Sequence, residues 1–212
     1  MNAWEEFDAG EMTEFLAARL ARGLPGRAPQ RELAPRLAYG RHYGPVPDDA
    51  RRAAVLLALH RTIGGWSIPA IVRPETMKSH AGQVSLPGGL VEADETVVQT
   101  ALREFEEELG TAAKQMQVIG QLTPVYVFVS GFEVTPVIAV TAGPLVFQPN
   151  EHEVAALIEL PLAALVDPEL RGHHVIERRS LRFMVPHYAI AGQRVWGATS
   201  MMLAEFVGLM SG

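Results

Sequence analysis

Apolar side chains recur every three or four residues near both ends of the chain, which is the spacing of one face of an α-helix. Residues 11–24 carry this pattern near the N-terminus, where Gly23 and Pro25 supply a stop signal. Residues 199–210 carry it near the C-terminus and predict a closing helix. The side chains of the closing helix expected to point inward are Met202, Phe206, Leu209 and Met210.

Runs of β-branched and apolar residues between turn residues predict the strands of a sheet. The first two strands are expected at residues 53–60 and 66–73, with Gly64 and Gly65 as the turn between them. The other predicted elements are strands at 118–121, 125–129, 135–140 and 154–160, a short helix at 162–167, and a late hairpin at 182–190 and 192–194. Because strands and helices interleave around one core, we expect a three-layer α/β/α arrangement.

The length of 212 residues suffices for one sizeable domain with a small appendage. Residues 26–47 are rich in Pro, Arg and Gly, so we expect an extended connector there. We therefore predict a helix and connector at residues 1–47 that pack on a main domain at residues 48–212. The N-terminal helix could instead present its apolar face to a second copy, so a monomer and a homodimer both remain open.

Composition limits the classes of partner and of chemistry. The net charge of -6 argues against nucleic acid as the main partner, since phosphate neutralisation needs a basic surface. The chain has no cysteine, which excludes disulfides, thiol catalysis and cysteine-ligated zinc. An acidic N-terminus without an apolar run is not a signal peptide, and no apolar stretch is long enough to cross a bilayer. We expect a cytoplasmic protein without a membrane partner.

Residues 80–111 form a Gly/Pro loop that runs into a helix. Asp94 is the predicted N-cap of this helix, which continues to Leu109, and Gly110 is placed to end it in a left-handed conformation. One stripe of the helix is apolar and should pack on a sheet. The residues of that stripe are Val98, Ala101, Leu102, Phe105 and Leu109.

Three glutamates of the same helix, Glu104, Glu107 and Glu108, project together because they are spaced i, i+3 and i+4. Like charges in one patch repel each other, and a hard divalent cation such as Mg²⁺ would compensate them. A solvated acidic face is the alternative. The preceding Gly88-Gly89 pair permits close approach of a phosphate or a metal-bound water to the backbone.

An ion pair is expected between the beginning and the middle of the helical segment. Glu95 and Arg103 lie two helical turns apart and carry opposite charges. They can meet if the chain at Glu95 folds back toward the helix.

The spacing of Gly89, Glu95, Arg103-Glu104-Phe105, Glu107-Glu108 and Gly110 resembles the Nudix box residue for residue. The one departure is Thr111, where the family usually has an aliphatic residue. The resemblance implies a Nudix-like α/β/α sandwich with a mixed β-sheet, and a hydrolase dependent on Mg²⁺ or Mn²⁺. By similarity, Glu104, Glu107, Glu108 and Gly89 form the metal site, while Arg103 and Glu95 position the metal ligands.

The segment before the box is similar to the extra signature of the coenzyme A diphosphatase subgroup. The matching residues are Arg73, Met77, His80, Ala81, Gly82, Gln83, Val84, Ser85, Leu86, Pro87, Gly88 and Gly89. Later matches lie at residues 130–132, 134–137, 150, 153–154, 161–162 and 195–199. The resemblance therefore covers most of residues 51–207 and implies a nucleotide substrate of the coenzyme A class.

The subgroup resemblance makes Arg73, Lys78, His80 and Gln83 candidate substrate-binding residues. Arg73 and Lys78 could clamp the 3′-phosphate that distinguishes coenzyme A from plain ADP compounds, although exposed loop cations are usually solvated. His80 could contact substrate, although a loop histidine more often serves as a structural hydrogen-bonding group.

The expected reaction is attack of water on the diphosphate, giving 3′,5′-ADP and a 4′-phosphopantetheine compound. Glu107 is the favoured general base, and Glu153 is the alternative base or an auxiliary metal ligand. One rival function is a Nudix hydrolase of ADP-ribose, NADH or a nucleoside triphosphate. Another is a non-catalytic nucleotide-binding module, against which the three retained glutamates argue.

Overall fold

The computed structural model describes residues 2–36, 44–76, 80–178 and 181–211. The helices are α1 (Ala9–Ala21), α2 (Arg27–Glu32), α3 (Val97–Leu109), α4 (Leu162–Val166) and α5 (Ala198–Ser211). The strands are β1 (Arg51–Thr62), β2 (Gly65–Val72), β3 (Val84–Ser85), β4 (Gly88–Leu90), β5 (Met116–Gln121), β6 (Val125–Val127), β7 (Phe132–Thr141), β8 (Ala156–Pro161), β9 (Arg171–Arg178), β10 (Leu181–Ile190) and β11 (Gln193–Trp196).

The long strand β1 organises an eight-stranded mixed sheet with the central order β3-β2-β1-β7-β5. On one side, β1 pairs antiparallel with β2 and with β4. On the other side it pairs parallel with β7. The short strands β6 and β8 add to β7 and β2. This topology confirms the expected mixed sheet.

Side chains of β1 alternate between two cores, one on each face of the sheet. Leu56 belongs to the core under α3, together with Phe105 of that helix. Leu57 belongs to the core on the opposite face, which also holds Leu16 of α1 and Phe206 of α5. The structure therefore confirms the α/β/α sandwich, and the four side chains predicted to point inward from α5 are all buried.

The N-terminal helix begins earlier than predicted. Asp8 caps it by accepting a hydrogen bond from the backbone N–H of Glu11 at 2.9 Å, in a reciprocal capping box. Met12 and Leu16 are fully buried in the core of the same chain. The helix thus uses its apolar face within its own fold. The proposed boundary between residues 47 and 48 stays a prediction.

The expectation of an extended connector at residues 26–47 is wrong in its first part, because α2 lies there. A buried carboxylate explains this: Glu205 of α5 accepts hydrogen bonds from Gln30 Nε2 at 2.7 Å and from the N–H of Gly26 at 3.2 Å. Thr123 donates its hydroxyl to the same carboxylate at 2.6 Å. Tertiary contacts of this kind are invisible to a local composition pattern.

The late hairpin is confirmed, but it belongs to a second, three-stranded sheet in the order β11-β10-β9. Sequence reasoning missed β9, whose side chains alternate between exposed and half-buried positions.

No helix in the described ranges is long and apolar enough to cross a membrane.

Candidate metal and diphosphate site

The loop before α3 is held against the sheet by backbone hydrogen bonds. The N–H of Leu56 donates to the carbonyl of Pro87 at 2.8 Å, and Gly89 pairs with Ala54 as β4 joins β1. A methyl group on Gly89 would collide with the carboxylate of Glu104. Glycine at this position therefore lets the loop backbone lie directly against the acidic face of α3 without displacing the Glu104 side chain.

The N-cap of α3 is Thr96, and the prediction of Asp94 is wrong. Asp94 has a φ of 69°, a left-handed conformation that does not fit the extended backbone of an N-cap. Thr96 has the extended conformation and accepts a hydrogen bond from the N–H of Gln99 at 3.2 Å. Gly110 ends the helix with a φ of 66°, as predicted. The predicted apolar stripe packs on the sheet.

The predicted ion pair between Glu95 and Arg103 forms. Arg103 donates from Nε to Oε1 of Glu95 at 2.8 Å and from Nη2 to Oε2 at 3.0 Å. Hydrogen bonding from Arg103 lowers the pKa of Glu95 to about 2. The carboxylate of Glu95 is therefore ionised throughout the neutral range.

Arg103 also holds two of the three clustered glutamates. Its Nη1 donates to Glu104 at 2.9 Å and to Glu107 at 3.1 Å. Its Nη2 donates to the carbonyl of Leu90 at 3.2 Å. One guanidinium thus joins the loop, the beginning of the helix and the acidic face.

Glu108 is the buried member of the cluster, with only 4% of its surface exposed. It accepts a hydrogen bond from the N–H of Gly88 at 2.9 Å. Burial raises the pKa of Glu108 to about 8, and the charges of Glu104 and Glu153 act in the same direction. Burial also raises the pKa of Glu104. The positive charge of Arg73 lowers the pKa of Glu108 and so partly opposes the effect of burial.

These features fit a divalent cation. Burial and neighbouring carboxylates raise the pKa of Glu104 and Glu108, and Glu108 forms no ion pair in the described part of the chain. Mg²⁺ or Mn²⁺ would supply the compensating charge through oxygen ligands. Because Gly89 has no side chain, the loop backbone can lie directly against the Glu104 carboxylate. Across the described ranges, no three carboxylate or imidazole groups already converge at ligand spacing. Glu107, with 55% of its side chain exposed, is turned toward Arg103.

A second loop brings Glu153 to the same place. The N–H of Asn150 donates to the carbonyl of Glu108 at 2.9 Å, which anchors this loop to the end of α3. The Asn150 side chain lies 3.3 Å from Oε1 of Glu153. Glu153 raises the pKa of both Glu104 and Glu108, so its charge reaches the cluster.

The predicted substrate-binding residues lie around one turn beside the cluster. His80 Nδ1 is 2.9 Å from Oε1 of Gln83. Arg73 donates its N–H to the carbonyl of Gln83 and accepts from Gly82, both at 3.0 Å. His80 is thus a hydrogen-bonding group, as favoured, and its contact with substrate stays a prediction. Lys78 lies outside the described residues.

Sequence reasoning assigned no role to Ser85, although the residue lies within the matched segment. Its hydroxyl is buried and has no hydrogen-bond partner in the described part of the chain. One feature of the sequence could have drawn attention to Ser85. Successive side chains of a strand point to opposite faces, so Ser85 lies on the face opposite its buried neighbour Val84.

Comparison with known proteins identifies the family. Residues 46–182, more than half of the chain, match the NUDIX domain. The protein named "Uncharacterized Nudix hydrolase NudL" of Pectobacterium atrosepticum is 38% identical over 161 residues, covering 73% of this chain and 80% of the relative. Its namesake in Photorhabdus laumondii is 33% identical over 173 residues, covering 76% and 85%.

Solved structures also align with this chain. The MutT protein from Methanosarcina mazei Go1 is 17% identical, with a TM-score of 0.48, and the alignment covers 76% of this chain and 96% of that one. The Nudix hydrolase RenU from M. smegmatis is 29% identical, with a TM-score of 0.46, over 53% and 71%.

Proposed function

Since this chain belongs to the Nudix hydrolase family, we propose that it hydrolyses the diphosphate bond of coenzyme A or of a coenzyme A derivative. The products would be 3′,5′-ADP and 4′-phosphopantetheine or its acyl form. Membership makes the chain a hydrolase of a pyrophosphate bond in a nucleotide-linked substrate. The choice of coenzyme A is the proposal.

The observation that carries this choice is the position of the segment from His80 to Leu86. Its sequence resembles the coenzyme A diphosphatase subgroup, and nothing in the Nudix box itself requires those residues. The segment pairs with the end of β2 and leads directly into Gly88, whose N–H donates to Glu108. A diphosphate held at the carboxylates would have this segment as its neighbour.

We assign the metal site to Glu104, Glu107 and Glu108 with the backbone of Gly89 beside them. A bound Mg²⁺ or Mn²⁺ would lower the pKa of a coordinated water and neutralise charge on the leaving phosphate. Arg103 keeps Glu104 and Glu107 oriented, and Glu95 fixes Arg103 in turn. The chain's own contribution is thus positioning and charge.

Glu107 is our choice for the base that accepts the proton of the attacking water. It is the most exposed of the three clustered glutamates. Glu153 approaches from a separate loop and is the alternative base or an auxiliary ligand. A mobile or exposed carboxylate can accept a proton and return it to solvent, whereas the buried Glu108 cannot do so easily.

Incubation of the purified protein with coenzyme A and Mg²⁺ or Mn²⁺, followed by chromatography, tests the proposal. Chelator-sensitive appearance of 3′,5′-ADP is the expected result. Competition with 3′-dephospho-coenzyme A is the matched control, since a coenzyme A site should prefer the 3′-phosphate. Turnover of ADP-ribose or NADH instead would overturn the substrate and leave the family unchanged. No turnover of any of these would favour a nucleotide-binding module.

Cytoplasmic location and a monomeric or homodimeric state stay predictions.

A further inference from the structure

Two polar atoms beside the acidic cluster are buried and unsatisfied. Arg73 Nε and Ser85 Oγ have no hydrogen-bond partner among the residues that the structure describes. Arg73 also makes no ion pair within those ranges. Buried donors are almost always paired in native proteins, so two unpaired ones at one place indicate a missing acceptor.

The register of the sheet places both side chains on the face that carries α3. Ser85 pairs with Ile71, and Ile71 is buried against the core residues of α3. Cross-strand partners share a face, so the side chain of Ser85 points to the same side. The backbone hydrogen bond from Arg73 to Gln83 extends the pairing of β2 with β3 by one more residue. Arg73 lies two residues after Ile71 in this extended strand, so its side chain also points to the face that carries α3.

This face is also where the carboxylates stand. The backbone of Arg73 is hydrogen-bonded to Gln83 and Gly82, both at 3.0 Å, in the segment that leads to Gly88. Ser85 precedes Gly88, the residue whose N–H donates to Glu108, by three positions. The two unpaired donors therefore lie on the face of the sheet that carries α3, next to the loop that contacts the proposed metal ligand Glu108.

We propose that Arg73 Nε and Ser85 Oγ bind phosphoryl oxygens of the substrate's diphosphate. A guanidinium and a hydroxyl are donors suited to an anionic phosphoryl group. The 3′-phosphate of coenzyme A is separated from the diphosphate by the ribose, so Arg73 does not serve as its clamp. This assignment rests on the proposed hydrolysis of a diphosphate, and it does not depend on coenzyme A being the substrate.

The first test is binding of inorganic pyrophosphate in the presence of Mg²⁺, measured by calorimetry. Arg73→Gln should weaken binding about 10- to 100-fold and Ser85→Ala about 3- to 10-fold. Arg73→Lys should recover part of the lost affinity, because lysine restores the positive charge but lacks the planar set of donors of a guanidinium. Arg22→Lys, an exposed arginine at the end of α1, is the matched control. Unchanged affinity in both site variants would overturn the proposal.

The second test separates the diphosphate from the 3′-phosphate. Each site variant should lower kcat/KM for coenzyme A and for 3′-dephospho-coenzyme A by the same factor. A loss confined to coenzyme A would show that Arg73 clamps the 3′-phosphate, which overturns the assignment. If neither compound is hydrolysed, the proposal of coenzyme A as substrate fails. The pyrophosphate titration still decides whether Arg73 and Ser85 bind the diphosphate.

Thermal unfolding provides a readout independent of turnover. Ser85→Ala removes a hydroxyl that has no partner in the described structure, so its Tm should be unchanged or higher. A clear fall in Tm would show that Ser85 already has an internal partner, and the proposal would lose one of its two donors.

Discussion

Arg103 and Glu95 form a two-point ion pair across the beginning of α3, with Nε–Oε1 and Nη2–Oε2 distances of 2.8 and 3.0 Å. Glu95 stands before the N-cap, while Arg103 is in the second turn of the helix. The pair therefore fixes the incoming loop relative to the acidic face. Because the same guanidinium also donates to Glu104, a disturbance at Glu95 reaches a proposed metal ligand through one side chain.

Replacing Arg103 by lysine should impair the site without unfolding the protein. A single ammonium cannot reproduce contacts to Glu95, Glu104 and Glu107 at once. We expect Mn²⁺ affinity or kcat to fall about 10- to 100-fold, as for other residues that orient metal ligands. Mn²⁺ titration and steady-state kinetics measure this. Wild-type values for both would mean that Arg103 does not position the ligands.

A Glu104→Gln plus Glu108→Gln variant should stay folded and lose metal-dependent turnover. Amide side chains cannot neutralise a divalent cation, so Mn²⁺ should raise the Tm of the wild type and leave that of the double variant unchanged. Glu106→Gln is the matched control on the same helix, since an amide oxygen can still accept from the N–H of Ala113. Retained metal-dependent turnover in the double variant would refute the metal-site assignment.

The choice of base can be decided by comparing Glu107→Gln with Glu153→Gln. If Glu107 is the base, its replacement should lower kcat about 10²- to 10⁴-fold. Glu153→Gln should then have the smaller effect on kcat. The reverse ranking would transfer the role to Glu153.

Substituting alanine at Gly89 should damage the site sterically. The added methyl group meets the Glu104 carboxylate, which must move away from the loop. We expect weaker Mn²⁺ binding and a large loss of kcat. Gly143→Ala is the control, because a methyl group there meets no atom and its φ is not in the left-handed region. Equal behaviour of the two variants would show that the close approach at Gly89 is unimportant.

Glu205 should make stability depend on pH. Burial raises the pKa of this carboxyl above its ordinary value of 4.5, so the folded state holds the proton more tightly than the unfolded state. Its stabilising contribution is therefore complete below that value and is lost as pH rises through the folded pKa.

Urea unfolding of wild type and Glu205→Gln checks this dependence. The amide should destabilise the fold by about 1–3 kcal/mol, since its NH₂ group would face the donors of Gln30 and Thr123. The difference between the two proteins should shrink as pH rises from about 4.5. A difference that grows with pH would mean that the surrounding donors outweigh burial and favour the ionised form.

Local patterns in the sequence were sufficient for the main elements. The apolar run of β1 and the apolar stripe of α3 are short-range signals, and both elements formed where they were predicted. The end of α3 at Gly110 was equally predictable, because a left-handed residue strongly favours glycine. The helix start was misplaced by two residues, since Asp94 and Thr96 are both plausible caps and the turn before them decides which one is extended.

The sequence by itself determined that Glu104, Glu107 and Glu108 share one face, because helical periodicity does not depend on the rest of the fold. Only the tertiary structure decided their different environments: Glu108 is buried against the N–H of Gly88, whereas Glu107 is exposed beside Arg103. The unpaired donors of Arg73 and Ser85 likewise became visible only there. Burial and cross-strand register arise from contacts between segments distant in sequence, and no local pattern encodes them.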